Sequence, residues 1–172
     1  MPVPMASQLI LGPARLRHVK KSLTLTANNE TLSQNVFTLT GAIYVLGIWG
    51  EVTTVIGSNH TAAHLRLDDQ TAQIVITAAA GITLSSLAAG TMFAKLGLAA
   101  AALTLMSNAA RATGQGAAQD DLCLQTFQVV KKTGATTDIE YRYSTTNAPT
   151  TGVILFNAVW LPLSSDGNLV AA

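Results

Sequence analysis

The chain predicts an all-β protein, an antiparallel β-sandwich of jelly-roll type with an extended N-terminal arm. Short runs rich in Val, Ile, Thr and aromatic residues alternate with Gly, Pro, Asn and Asp, which is the pattern of short strands joined by turns. Few segments are convincing helices, and many short strands with turn signals are typical of sandwiches and barrels. The 172 residues suffice for one domain with a sizeable core.

The strand signal is densest in the stretch from Phe37 to Ile56, FTLTGAIYVLGIWGEVTTVI. The strand composition breaks only at Gly41, Gly47 and Gly50, and we expect a meander of three strands, Asn35–Thr40, Ile43–Trp49 and Val52–Ile56. The Ala-rich stretch 98–106 fits a strand or a short helix, because period alone does not decide for a short apolar run; residues 109–121 predict a surface loop. Further strands are expected at Leu23–Thr26, His64–Asp68, Gln73–Thr77, Thr91–Leu96, Leu122–Val130, Asp138–Ser144 and Val153–Leu161.

The last two of these strands say most about the sandwich. In Asp138–Ser144 apolar side chains alternate strictly with polar ones, which predicts one face in a core and the other in water. Val153–Leu161 is apolar on both sides, so we expect a central strand or one covered by another molecule, ended by Pro162. The side chains expected to form the rigid core are Trp49, Tyr141, Tyr143, Phe156 and Trp160.

Charge is unusually sparse in this chain. Hydrophobic residues make up 49% and charged residues only 11%, against about 25% charged in an ordinary soluble domain. Because a free monomer normally covers its surface with charge, we expect part of the surface to be buried against copies of itself or another protein. A net charge of +1 gives no bulk attraction to nucleic acid. The most apolar stretch, Leu84 to Met106, contains Lys95 and several glycines, so no membrane span is expected.

The N-terminal segment has a composition of its own. Three prolines disfavour regular structure near the start, and a basic run follows them. We expect an arm, residues 1–21, attached to a single sandwich domain, residues 22–172. A disordered terminus and an arm that becomes ordered on an acidic partner are both open at this point. In the second case the partner-binding residues are Leu9, Leu11, Arg15, Arg17 and Lys20.

No group of side chains predicts catalysis, so we expect no enzyme, no cofactor and no metal. His60 and His64 lie four residues apart, but on a strand this spacing separates them by about 13 Å, too far to chelate one ion. We expect surface or interface histidines. The carboxylate pairs Asp68-Asp69 and Asp120-Asp121 fall in apparent turns, where Asp is common for local hydrogen bonding, with a weak loop site for calcium as the alternative.

Two stretches of the chain resemble small structural proteins of tailed bacteriophage virions. In NVFTLTGAIYVLGIWGEVTTVIGSNHTAAHLRLDD, a Phe-Thr-x-Thr-Gly turn leads into a strand with Gly-x-x-Gly and then Thr-Thr-x-Ile. The C-terminal GVILFNAVWLPLSSDGNLVAA is a long apolar strand followed by an aromatic residue, a proline and a Gly-containing tail. The similarity covers Gln34 to Asp69 and Thr151 to Ala172.

This resemblance implies a β-sandwich of the virion, namely a head decoration or cement protein on the capsid surface. Such a protein stabilises the head shell by binding the major capsid protein, and the N-terminal arm would suit a clamp onto that shell. Decoration proteins of this kind are often trimers, so a homotrimer is expected. Fibre, spike and tail proteins have similar sequences, so the alternative is a fibre or spike domain that binds a receptor or a carbohydrate. Neither nucleic acid nor membrane is an expected partner.

Overall fold

The computed structural model describes residues 15–27, 30–79, 81–96, 101–106, 126–146 and 151–172, and in these ranges all regular structure is β. Two antiparallel sheets pack against each other, so the protein is the all-β sandwich that the sequence predicts. The strands are β1 (Arg17–Thr24), β2 (Thr31–Thr40), β3 (Ala42–Thr54), β4 (Thr61–Asp68), β5 (Gln73–Val75), β6 (Met92–Ala94), β7 (Thr104–Met106), β8 (Phe127–Val130), β9 (Thr137–Ser144), β10 (Val153–Pro162) and β11 (Asn168–Ala171).

The strand order is that of a jelly roll. The first sheet has the order β1-β10-β3-β6-β7. Strand β8 also belongs to it and pairs with the beginning of β3, whereas β6 pairs with the later part of β3. The second sheet has the order β11-β2-β9-β4-β5. The chain passes back and forth between the sheets, so that β1-β10-β3-β6 faces β2-β9-β4-β5, which is the eight-strand arrangement of two Greek keys. Strands β7, β8 and β11 are additions to it.

Strand β3 is a single strand of 13 residues, so the breaks expected at Gly47 and Gly50 are wrong. Gly50 lies opposite Phe93 of β6, and a Cβ atom on this glycine would come within 2.3 Å of the Phe93 ring. The glycine therefore gives room to an aromatic ring on the neighbouring strand. Gly41 does form the expected turn, with a φ of +58° that favours glycine.

Strand β1 shifts the expected boundary between arm and domain. It pairs with β10 along its whole length, from Arg17 opposite Trp160 to Thr24 opposite Val153. The boundary expected at Lys21 therefore falls inside a strand, and the segment 17–21 belongs to the sandwich. Basic residues are well tolerated here because β1 is an edge strand. Residues 1–14, like the loop expected at 109–121, lie outside the described residues.

The core lies between the two sheets and contains four of the five side chains expected in it. Tyr141, Tyr143 and Phe156 are fully buried and Trp160 is 1% exposed. Trp49 is the exception: it lies half-buried on the outward side of β3, because the inward positions of this strand are those of Ile48 and Gly50. Strand β10 is central, between β1 and β3, as its apolar sequence predicts.

Candidate functional site

The outward face of the second sheet is polar. Side chains alternate between the two sides of a strand, so the residues between the core-facing positions of β2, β4, β5 and β9 point outward. Asp138 and Glu140 were expected to face water; they do point outward, but they are 3% and 7% exposed because β9 is central and neighbouring side chains cover them. This polar face consists of Ser33, Asn35, Thr38, His64, Arg66, Asp68, Gln73, Asp138, Glu140, Arg142 and Ser144, with the exposed Val75 at its β5 edge.

The hydrogen bonds of the polar face are largely made within it. The Arg66 Nε atom donates to Glu140 Oε2 at 2.6 Å, and the other guanidinium nitrogens donate to Ser33 Oγ and to the Gln73 amide oxygen. The Asp138 carboxylate accepts from Asn35 Nδ2 at 3.0 Å and from Thr38 Oγ1 at 2.6 Å. These buried polar groups satisfy one another, as buried polar groups in folded proteins usually do.

The outward face of the first sheet is apolar, and we call it the apolar face. It runs across β10, β3, β6 and β8, and its large side chains are half-buried or exposed, with Val130 at 66% exposure. A continuous apolar surface of this kind is often a site of interaction with another protein. The apolar face consists of Tyr44, Trp49, Met92, Val130, Val153, Leu155, Val159 and Leu161.

The centre of the apolar face holds one polar cluster. The His18 ring of β1 stacks on the Trp49 ring of β3, with centroids 5.9 Å apart and planes inclined by 14°. His18 Nε2 lies 3.1 Å from Asn157 Oδ1, and the Asn157 amide also donates to the Leu155 carbonyl at 3.2 Å. Asn157 is 4% exposed, so its amide is satisfied beneath the two rings. The cluster fixes the positions of His18 and Trp49 on the sheet.

Two charged side chains lie on the apolar face, one of each sign. Lys20 of β1 stands opposite Asn157 of β10, which in turn stands opposite Trp49. Glu51 of β3 lies in the next outward row, opposite Leu155. Among the described residues of β1, β10, β3 and β6, these are the formally charged side chains at outward positions, because Arg17 and Lys21 occupy positions that alternate with them.

The side chains that the sequence predicts for partner binding have different surroundings in the structure. Arg15 is exposed, and Lys20 lies on the apolar face. Arg17 is engaged within its own chain, with its guanidinium carbon 5.1 Å from the centre of the Trp160 ring and NH1 donating to Asn168. Leu9 and Leu11 lie outside the described residues.

His60 is buried, which corrects the expectation of a surface or interface histidine. Its ring stacks on Tyr143 with centroids 4.6 Å apart and on Tyr141 at 5.8 Å, and its Nε2 lies 2.6 Å from the Tyr141 hydroxyl. Burial lowers the pKa of His60 from 6.5 to about 4. No group of three or more His, Cys, Asp and Glu side chains suited to a metal occurs among the described residues. His60 is therefore a neutral core side chain between two tyrosines.

Acidification is expected to destabilise the fold through His60. Since its pKa is about 4 in the folded state and 6.5 in the unfolded chain, the unfolded state binds a proton first as the pH falls. The free energy of unfolding is therefore highest above pH 6.5, and it falls progressively between pH 6.5 and pH 4 as His60 is protonated in the unfolded chain. Urea unfolding should show a loss of about 2 kcal/mol between pH 7 and pH 5 from this group, and about 3 kcal/mol in all.

The matched control is the double variant His60→Phe/Tyr141→Phe, which keeps the stacked rings and removes both partners of the hydrogen bond. His64, whose pKa burial also lowers, remains in both proteins, so the difference between their pH profiles belongs to His60. A double variant with the same pH dependence as the wild type would contradict the assignment.

Lys95, which follows β6, is another buried ionisable side chain, at 3% exposure. Burial lowers its pKa because the charged ammonium loses hydration. Its Nζ atom lies 5.9 Å from the centre of the Phe127 ring, a cation–aromatic contact between β6 and β8. This contact links the end of β6 to β8.

An open cleft of about 390 Å³ lies where three turns meet at one end of the sandwich. Its walls include Lys131, Lys132, Ser164 and Asp166. Ser164 Oγ donates to Asp166 Oδ1 at 2.6 Å and accepts from the Ala42 backbone N–H at 2.8 Å. The serine hydroxyl is therefore part of the turn, and the walls that the structure describes place no histidine beside it to activate it as a nucleophile.

Comparison of the chain with protein-family models, with curated proteins and with solved structures finds no match. Within the part of the chain that the structure describes, no helix is long and apolar enough to cross a membrane. The resemblance to phage virion proteins thus rests on the two stretches of sequence quoted above.

The apolar face was only partly visible in the sequence. The signal was the strand Val153–Leu161, whose apolar side chains on both sides predicted a covered outer face. Tyr44, Trp49 and Met92 gave no such signal, because their outward positions follow from the register of β3 with β10 and β6. The site is a surface built by strands that are distant in the chain.

Proposed function

We propose that this protein is a non-catalytic structural protein of a tailed-phage virion, a capsid decoration protein that stabilises the head by binding the major capsid protein. The observation that carries the proposal is the contrast between the two outward faces. The polar face is suited to water, whereas the apolar face has the composition of a surface that is covered in an assembly. The virion itself is suggested by the sequence resemblance.

The fold supports this proposal by analogy. Jelly rolls occur in viral capsid proteins, in lectins and in cupins, so this topology is compatible with a building role and does not by itself specify one. A protein that binds only the assembled shell stabilises that state by RT ln(1 + [L]/Kd). A rigid sandwich whose outer sheet needs a cover suits such a role, because little ordering free energy is lost when it docks.

The N-terminal segment is proposed as the clamp on the shell. Leu9 and Leu11 would supply apolar contacts and Arg15 a positive charge for an acidic neighbour. Arg17 has a different part in this arrangement, because its guanidinium already packs on Trp160 and anchors the start of β1. Lys20 belongs to the apolar face and not to the clamp.

A second candidate function is a fibre or spike domain that binds a receptor or a carbohydrate. The observation in its favour is the half-exposed pair Tyr44 and Trp49 on the open sheet, because aromatic rings beside polar groups are suitable platforms for sugar rings. A Trp49→Ala variant that loses binding to a glycan array, while its fold is retained, would support this function over the first.

Mass spectrometry of purified particles of the phage that encodes this chain tests the proposal. A decoration protein is expected in the head fraction, at a copy number comparable to that of the major capsid protein. Recovery in the tail fraction at a few copies per particle would favour the fibre or spike function. Absence from purified particles would overturn both virion functions.

A further inference from the structure

We propose that a second copy of this chain covers the apolar face, through the same face, in a two-fold symmetric dimer. This inference rests on the proposed function, since it names what covers the face in the assembly. It follows from the positions of the two opposite charges on that face and from the strand that separates them.

Lys20 and Glu51 lie on opposite sides of β10, the middle strand of the face. Lys20 is in the row of Asn157, and Glu51 is in the next outward row, that of Leu155. Two strand spacings and one outward step along a strand place their backbones roughly 12 Å apart. Asn157 and Leu155 of β10 lie between the two charges.

A two-fold axis in the plane of the interface must cross the line between the two charges at its midpoint and at a right angle, so it crosses β10 at about 35°. Rotation about this axis brings Lys20 of each copy over Glu51 of the other, so one symmetric interface contains two ion pairs. The Leu155 side chains of the two copies, and the Asn157 positions next to them, then lie near the axis. This self-complementarity is what an isologous interface requires, because one patch must fit itself.

A second copy suits the face better than an unrelated surface does, because one two-fold rotation pairs both charges of each copy with opposite charges of the other. An apolar partner would bury both charges unpaired, which is strongly unfavourable. The strands of the two copies then cross at about 70°, close to the orthogonal class of sheet packing, with the two sheets about 10 Å apart. The trimer implied by the resemblance would instead need contacts between two different patches of the molecule, so the number of copies distinguishes the two arrangements.

Charge reversal tests this geometry. Sedimentation equilibrium should show a dimer for the wild type at micromolar concentration and weaker self-association, by about tenfold or more, for Lys20→Glu and for Glu51→Lys. An equimolar mixture of these two variants should form the dimer again, because every contact in a mixed pair is between opposite charges. The double variant Lys20→Glu/Glu51→Lys should also dimerise like the wild type.

Lys131→Glu is the matched control, because it makes the same change of charge just after β8, several rows along the sheet from Lys20 and Glu51. It should dimerise like the wild type. Circular dichroism checks the fold of each variant. Where a charge-reversal variant does not fold, Lys20→Gln or Glu51→Gln replaces it, and a smaller loss of self-association is then expected. A monomeric or trimeric wild type, single variants that associate normally, or a mixture that does not pair would overturn the proposal. None of these outcomes decides whether the protein is present in purified particles, so the dimer and the proposed function are tested separately.

Discussion

Replacement of Trp160 by Ala is expected to lower the free energy of unfolding by about 3–5 kcal/mol. The side chain is 1% exposed and lies in the core cluster, opposite Val45 of β3 and Arg17 of β1. Its removal leaves a cavity at the point where the central strand of the first sheet meets the core. Denaturant unfolding measures the effect, and a loss below about 1 kcal/mol would contradict the placement of this ring.

Trp160→Phe is the matched control for that measurement. The Trp160 Nε1 atom is buried and finds no hydrogen-bond partner among the described residues, so its removal costs no hydrogen bond. The phenyl ring keeps most of the apolar contact, and the loss of stability should be much smaller than for Ala. Equal losses for Phe and Ala would show that the indole nitrogen is essential, against the structure.

Replacement of Glu140 by Ala is expected to cost a similar amount, about 3–5 kcal/mol, for an electrostatic reason. The Glu140 side chain is 10% exposed and that of Arg66 is 7% exposed, with 2.6 Å between Oε2 and Nε. Without the carboxylate, the guanidinium stays buried and keeps only the neutral acceptors Ser33 and Gln73. Urea unfolding at pH 7 measures the loss.

The double variant Arg66→Met/Glu140→Leu separates this explanation from a simple loss of packing. If the penalty comes from the uncompensated charge, the double variant should be close to the wild type in stability, because apolar side chains of similar size replace both ions. A double variant that is less stable than Glu140→Ala would contradict this reasoning and assign the loss to packing instead.

The sandwich was predictable because period-two alternation and turn residues are local properties. Strict alternation in β9 identified the core-facing Tyr141 and Tyr143, and the two-sided apolar character of β10 identified a central strand. The burial of Asp138 and Glu140 was not predictable, because it depends on the strands β2 and β4 that flank β9. Neighbouring strands, distant in sequence, decide whether an outward side chain reaches water.

The errors have the same physical origin. The sequence predicted a break at Gly50 because glycine is common in turns. The Phe93 ring occupies the space that a side chain at this position would need, but it is more than forty positions away in the chain and gives no local signal. His60 was expected at a surface because its partners Tyr141 and Tyr143 are also distant in sequence. The apolar face required the register of four strands, which no local pattern provides.

Quenching of tryptophan fluorescence by iodide tests most directly whether the apolar face is covered in the assembly. The chain has two tryptophans: Trp160 is 1% exposed, so the change in quenching reports Trp49 on the apolar face. Quenching should be strong in dilute protein and should fall as the concentration rises and the protein associates, whereas Trp49→Phe should show little quenching throughout. Quenching that stays equally strong while the protein associates would mean that the apolar face remains open.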